Sequence, residues 1–363
     1  MSRSPSFQAA AWRRLKKNKG AVFGLIIITC AVLVAVFAYF LAADPSPNAN
    51  RIILEIGGEK PGFTQTFVLL PKLSTPVTNN FFQRLLSGRK DRFDHIPVNG
   101  YELLGRDSII IRRYIDDGVE DTARFATKEL PAVFLKNNIK KKKFLLGTDK
   151  YGRDILSRLI VGTRVSLGVG LITVLISLGI GLVLGSLAGY YRGRTDTIIM
   201  WLINVIWSIP TLLLVFAITL ILGKGFWQVF IAVGLTMWVN VARLVRGQIL
   251  GVRELEYVEA TRALGFSGFR TIVKHIWPNI MGPVMVIAAA NFASAIVIEA
   301  GLSFLGVGVQ PPQPSWGLMI KENYNFIITQ NPMLALAPGF AIMLLVLAFN
   351  LVGNGLRDAL DVR

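Results

Sequence analysis

Residues able to do chemistry are sparse in this chain, and their spacing suits no common catalytic centre. Cys30 is the only cysteine and lies in an apolar run, so neither an intrachain disulfide nor a cysteine metal cluster can form. The two histidines, His95 and His275, are far apart in sequence. No H-E-x-x-H helix and no nucleophile elbow occurs, which speaks against an enzyme of ordinary metal or serine type. Without a G-x-x-x-x-G-K-[ST] loop to cradle phosphates, the chain cannot itself be an ATPase. The ionisable residue that stands out is Glu299, in an apolar stretch with Asn291 eight positions earlier. At about 3.6 residues per helical turn the two share nearly one side. An ionisable group at such depth faces a cavity or a partner. Near the outer end of its helix, where water reaches, Glu299 has two readings open: to meet an incoming amino group, or to hold a neighbouring helix.

The elements that must position these residues are set by composition. With 363 residues, 53% hydrophobic, and 34 glycines, the chain needs lipid as solvent. Its net charge of +17 forms no aromatic-interleaved basic patch of the kind that grips single-stranded nucleic acid. Crossing a bilayer takes roughly 20 apolar residues as a helix. Six stretches qualify: Ala21 to Ala43, Ser166 to Gly189, Thr197 to Leu222, Phe226 to Val245, Pro283 to Leu305 and Met333 to Val352. The expected class is an all-α integral membrane protein with six transmembrane helices and one inserted, partly β domain. The first stretch lacks a small-residue cleavage pattern, so it is expected to be a retained anchor in a mature chain that begins near Met1.

Lysine and arginine in short flanks set the orientation. Arg13, Arg14, Lys16, Lys17 and Lys19 precede the first span, Arg192 and Arg194 join the second to the third, and Arg243 to Lys274 carries the basic residues between the fourth and fifth. Both termini are therefore expected in the cytoplasm, and the two histidines on opposite sides. The basic insertion between the first two spans then lies outside, which the rule tolerates because long domains cross largely regardless of charge. Domain boundaries are expected at 1–43 for the N-terminus and first span, 44–146 for the insertion, and 147–363 for the remainder, with a loop at 248–282. Within the insertion, Arg51 to Glu55 and Ser108 to Tyr114 read as short β-like runs. Gly147-Thr148-Asp149 is expected to cap an amphipathic helix along the membrane surface, with Ile155, Leu156, Leu159 and Ile160 on one side and Lys150, Arg153, Asp154 and Arg158 on the other. The alternative is a polar extension of the second span.

Gly181, Gly185 and Gly189 bare one face of the second span, so another helix is expected to approach closely there. Pro210, after Trp207-Ser208-Ile209, is expected to kink the third span. Trp207, Pro210, Asn291 and Glu299 are the residues most suited to line a pathway. The loop after the fourth span reads Glu254-Leu255-Glu256-Tyr257-Val258-Glu259-Ala260-Thr261-Arg262-Ala263-Leu264-Gly265-Phe266-Ser267. Its first part is helix-forming, Gly265 can take the left-handed conformation that ends a helix, and Ser267 can cap a second helix. That helix places Phe269, Ile272, Val273 and Ile276 in one apolar stripe, with Pro278 expected to stop or kink it. A helix, a glycine corner and a helix make a stiff knob suited to mechanical contact. From periodicity alone it could equally be a surface hairpin with no partner.

The run Glu259-Ala260-Thr261, three residues, Gly265 and then Pro278 resembles the EAA loop of permease subunits in bacterial binding-protein-dependent ABC importers. Thr261 replaces the second alanine, His275 stands where an aliphatic residue is usual, and Trp277 where leucine is usual. Leu146-Gly147-Thr148-Asp149, Gly152-Arg153-Asp154, Ser157-Arg158, Gly162 and Ser166-Leu167 are similar to the segment before the second span in the peptide/nickel permease group. Leu302 to Pro312, Ser315-Trp316-Gly317 and Gly355-Leu356-Arg357-Asp358 look like the oligopeptide and dipeptide C-type subunits. The resemblance implies a type I importer permease fold in the bacterial cytoplasmic membrane. It also implies a second, homologous permease subunit, two cytoplasmic ATPase subunits and an external binding protein that delivers peptide. Leu255 to Gly265 would seat in a groove of the ATPase, with Glu259 and Arg262 as polar anchors. ATP and magnesium would be used by the partner ATPase, this chain binding no cofactor. Nickel, glutathione or another small solute remain alternative cargoes. An intramembrane enzyme would need paired catalytic groups at one depth in facing spans, and an ATP-independent transporter or channel would usually show inverted halves or several buried charges; here Glu299 stands nearly alone.

Overall fold

Apolar runs of this length satisfy their backbone groups in lipid only as helices, and helices dominate the protein. The computed structural model describes residues 7–72, 80–104, 108–126, 137–328 and 331–360; the expected start near Met1 lies outside them. The helices are α1 (Phe7–Lys17), α2 (Lys19–Val36), α3 (Ala38–Leu41), α4 (Phe81–Ser87), α5 (Ile155–Tyr191), α6 (Gly193–Trp207), α7 (Thr211–Leu222), α8 (Phe226–Val252), α9 (Glu256–Ala263), α10 (Gly268–Thr271), α11 (Trp277–Phe304), α12 (Trp316–Asn323) and α13 (Met333–Leu360). The strands are β1 (Thr64–Pro71), β2 (Phe93–Leu104), β3 (Ser108–Asp116), β4 (Val119–Ala126) and β5 (Ile139–Lys143). Among the described residues five helical stretches are long and apolar enough to cross a membrane, and α6 with α7 makes a sixth if the bent pair is one span.

The chain divides into two compact units, one taking residues up to Val32, Val165–Gln310 and those from Phe340 on, the other Leu33–Arg164 with Pro311–Gly339. These boundaries differ from a cut at residue 146, because the segment before the second span and the one after Gln310 fold with the insertion.

In the helical unit the stretch Thr197 to Leu222 is not one straight helix. It bends by 92° between α6 and α7, at Ser208-Ile209-Pro210. Pro210 has no N–H to donate and stands at the N-cap of α7, so the hydrogen-bond ladder restarts there. Gly181, Gly185 and Gly189 of α5 lie against α8. A Cβ built on Gly185 would come 2.5 Å from the Ala242 carbonyl oxygen and 2.8 Å from the Val245 Cβ, while Gly181 faces Val241 and Gly189 faces Ile249. Gly24 of α2 approaches the Ala348 carbonyl of α13 in the same way. The fifth span begins earlier than Pro283: α10, a π-helical turn at Ile272–Ile276 and α11 form a helical stretch of 37 residues. Pro278 therefore does not stop the helix. The Trp277 N–H reaches back to the Ile272 carbonyl, and this wider turn accommodates the proline ring just after it.

In the other unit five antiparallel strands run in the order β4-β3-β2-β1-β5. Alternation along β1 sends Phe67 and Leu69 to one core with Ile53, Ile56, Tyr114 and Phe144, and Val68 to a second core with Val98, Ile109 and Ile111. Ser108 to Tyr114 lies in β3, and Asp117-Gly118, with Gly118 at φ +80°, turns the chain into β4. Arg51 to Glu55 is not a strand: Leu54–Ile56 is a short 3₁₀ turn, and the Ile53 N–H is taken by the Tyr151 carbonyl. No separate surface helix starts at Asp149. Helix α5 begins at Ile155 and continues into the span, and of the polar side expected to face water Arg153, Asp154 and Arg158 are buried while Lys150 stays exposed. Arg153 bonds Asp149 at 2.6 Å and Glu322 of α12 at 2.8 Å, and the fully buried Arg158 reaches Glu322 at 3.4 Å. Buried charges require such pairing. That requirement explains why Arg153 and Arg158 are turned inward, toward Asp149 and Glu322.

A cleft of about 450 Å³ in this unit is lined by charges that are already paired: Arg51 with Asp91, Arg113 with Glu55, and Lys72 with Asp94. Burial alone would push the Asp91 carboxyl up, but His95 and Arg51 outweigh it and hold that carboxyl well below the usual range.

Candidate functional site

The loop after the fourth span builds a knob whose shape is fixed by backbone bonds. Leu255 is extended and opens α9, with Glu256 and Glu259 in the first turn and Arg262 in the last, the arrangement the helix dipole favours. Gly265 sits at φ +74°. Its N–H donates to the Arg262 carbonyl at 2.9 Å, and the Phe266 N–H donates to the Thr261 carbonyl at 3.0 Å. This is a Schellman ending, which an L side chain at Gly265 would strain. The Ser267 hydroxyl then accepts the Arg270 N–H at 3.4 Å and starts α10.

One side of the knob is welded to the spans. Val258 is fully buried with Ile272 and Ile276 against Val241, Val245 and Ile249 of α8 and Ile280 and Val284 of α11. Burial of one such valine is worth about 1.5–3 kcal/mol. The Thr261 and Thr271 hydroxyls meet at 3.3 Å, joining α9 to α10. The Arg253 guanidinium donates to the Tyr190 carbonyl of α5 at 2.7 Å, and the Arg262 guanidinium stands 5.2 Å from the centre of the Tyr190 ring. Asn279 donates to the Tyr257 hydroxyl at 3.0 Å, and burial pushes that phenol above its ordinary pKa. The knob is thus held by α5, α8 and α11 together.

The other side is open. Leu255, Tyr257, Glu259, Ala260, Arg262 and Ala263 are exposed, Leu264 is 71% exposed and Phe269 75%. Phe269 therefore leaves the stripe that Ile272, Val273 and Ile276 keep, because α10 is too short to turn it under. Large apolar side chains presented on a polar loop mark an interaction surface.

A second feature lies at the bend of α6 and α7. A notch of about 190 Å³ is lined by Trp207, Thr211, Thr236, Asn240, Ser294 and Ile298, among others. Trp207 is held in place by the Arg243 guanidinium, 3.6 Å from its ring centre, which also donates to Asn204 at 2.9 Å. Of the residues expected to line a pathway, Trp207 lines this notch and Pro210 adjoins it. Asn291 and Glu299 do not line it. Glu299 is fully buried, not washed by water, and accepts the Ser303 hydroxyl at 2.6 Å; that hydroxyl in turn accepts the Val309 N–H, ordering the turn after α11. Sequence reasoning passed over Thr236 and Asn240, although their spacing of four on α8 puts both on one face.

Knob and notch both fall within residues 181–363, which match the family model for the inner membrane component of binding-protein-dependent transport systems. The chain belongs to this family. Residues 6–55 match a second family model, the N-terminal transmembrane domain of oligopeptide transport permease C. A dipeptide transport system permease protein of Alkalihalophilus pseudofirmus is 42% identical over 351 residues, covering 97% of this permease and 88% of the relative. An oligopeptide transport system permease protein of Bacillus subtilis is 41% identical over 220 residues, 61% of this chain and 72% of the relative. A glutathione transport system permease protein of Pectobacterium atrosepticum is 44% identical over 216 residues, 60% and 71% of the respective chains. The resemblance to C-type subunits of the oligopeptide and dipeptide permeases, read from Leu302 to Pro312 and its flanks, is borne out.

Proposed function

We propose that this permease forms one half of the membrane pathway of a peptide importer driven by separate ATPase subunits. A second, homologous permease subunit completes the pathway, and an extracytoplasmic binding protein delivers the cargo. One observation carries the reading: the knob is clamped to α5, α8 and α11 while Leu264 and Phe269 face outward. A partner that displaced this surface would tilt three helices at once, whereas a floppy loop would absorb the motion. Leu255 to Gly265 is the contact with the ATPase, and Glu259 and Arg262 are its polar anchors. ATP and magnesium belong to the partner; the chain needs no cofactor of its own. The notch beside Trp207 belongs to the pathway, its hydroxyl and amide groups suiting an uncharged peptide backbone. Reconstituted with its companion subunits, the chain is expected to import labelled dipeptide only while ATP is hydrolysed. Uptake by the chain alone, without nucleotide, would overturn the proposal.

The names of the dipeptide and oligopeptide relatives support peptide as cargo, and the 44% identity to a glutathione permease supports glutathione as the second reading. Counting α6 and α7 as one broken span gives six spans in the bacterial cytoplasmic membrane, both termini in the cytoplasm and the sheet unit outside. The basic residues around α1 and between α8 and α11 support that orientation. A protease added outside spheroplasts is expected to cut between Asp44 and Arg164 and to spare Arg246 to Pro278. The reverse pattern would invert the topology.

A further inference from the structure

Helix α4 has no role in the transport reading, yet it carries three large apolar side chains into the open. Phe82 is 73% exposed, Leu86 68% and Phe81 60%. In water such a cluster on a seven-residue helix would be a liability.

Its position in the fold is well defined. The Phe81 ring meets the Phe40 ring of α3 at 5.5 Å, and the Arg84 guanidinium lies 4.4 Å from the centre of the same Phe40 ring. The Arg164 side chain donates to the Leu85 and Leu86 carbonyls at 3.0 and 3.2 Å, ending the helix. Gly88, at φ +76°, presses so close to Tyr39 and the Pro45 carbonyl that a Cβ would collide with both, and the Arg89 N–H donates to that carbonyl at 2.7 Å. Helix α4 is therefore pinned to residues 39–45.

Those residues end the first span. A hydrocarbon core takes about 20 residues of helix, so a span that starts near Ala21 reaches the opposite surface at about Leu41. Phe37 and Leu41 on α3 and its lead-in are exposed, as expected of side chains facing lipid, while Ala38 and Tyr39 are buried against protein. A helix fixed on Phe40 lies where acyl chains give way to headgroups, the depth at which aromatic side chains collect. The two residues after it, Arg89 and Lys90, are exposed cations that follow Gly88 directly and suit the phosphates of that layer.

We propose that α4 is a membrane foot: Phe81, Phe82 and Leu86 enter the lipid surface at the far end of the first span, and Arg89 and Lys90 meet its phosphates. The foot fixes the attachment of the sheet unit to the bilayer.

The lone cysteine makes the test direct. In a Cys30→Ser background, Phe82→Cys carries a nitroxide in the full transporter complex, reconstituted in phospholipid nanodiscs. Oxygen, which partitions into lipid, should relax the label several-fold more strongly than a water-soluble nickel chelate. A label at Lys141→Cys, exposed on the edge strand β5, should show the inverse ratio. A nickel-dominated response at Phe82→Cys would place α4 in water and overturn the proposal, and so would a label closed to both reagents, which would mean that protein covers it. Phe81→Cys supplies a second reading if the Phe82 variant is poorly made.

Discussion

Leu264→Asp and Phe269→Asp are each expected to abolish the stimulation of ATP hydrolysis by transported peptide while leaving the permease folded and inserted. Both side chains are largely exposed, so the free-energy cost to the chain itself stays within about 0.5 kcal/mol. At an interface the same change removes an apolar anchor and buries a charge. An anchor of about 2 kcal/mol corresponds to roughly thirtyfold weaker association. Val258→Asp separates contact from fold, because Val258 is fully buried among α8 and α11 and an unpaired polar group there costs roughly 3 kcal/mol. Gly265→Pro fails in yet another way: it imposes a φ near −65° where the glycine holds +74°, and it deletes the N–H that donates to Arg262. The measurement is peptide-stimulated phosphate release by the reconstituted complex, read beside the yield of inserted protein. Normal stimulation in both aspartate variants would remove the knob from the coupling path.

How much of this was legible in the sequence depends on whether the signal is local. Gly265 announces a helix ending because few other residues take its φ, and the backbone bonds around it close a Schellman turn. Spacing of four for Gly181, Gly185 and Gly189 announces a close helix contact because only small residues leave that space. Pro210 announces the kink in the third span, but its size of 92° is hidden, since the hydropathy runs on without interruption from α6 to α7. Arg153 and Arg158 read as a wet helix face because their counter-charge, Glu322, comes more than 160 residues later. Pro278 reads as a stop or a kink, because a π turn that accommodates a proline within a continuing helix has no signature in residue types. For the same reason the notch was only half visible: Trp207 and Pro210 flag the bend, but Thr236 and Ser294 join them only through tertiary packing.

The glycine contact between α5 and α8 yields the sharpest test of the fold itself, because alanine at two glycines of one helix should act in opposite directions. In a helix interior alanine is favoured over glycine by about 1 kcal/mol, and Gly179 has open space around it, so Gly179→Ala should raise the thermal midpoint of the purified permease. At Gly185 the same methyl group would lie 2.5 Å from the Ala242 carbonyl oxygen and 3.0 Å from the Ala242 Cα. Those are backbone atoms of a packed helix and cannot swing aside as a side-chain tip would. The two helices must part, and overpacking of that kind costs typically 1–3 kcal/mol, more than the helix preference returns. Gly185→Ala should therefore lower the midpoint, and Gly185→Leu should leave little monodisperse protein when samples are heated in detergent and run on a sizing column. Should Gly185→Ala stabilise the permease as much as Gly179→Ala, the second and fourth spans do not meet along this face. The knob would then lose the rigid support on which its use as a lever depends.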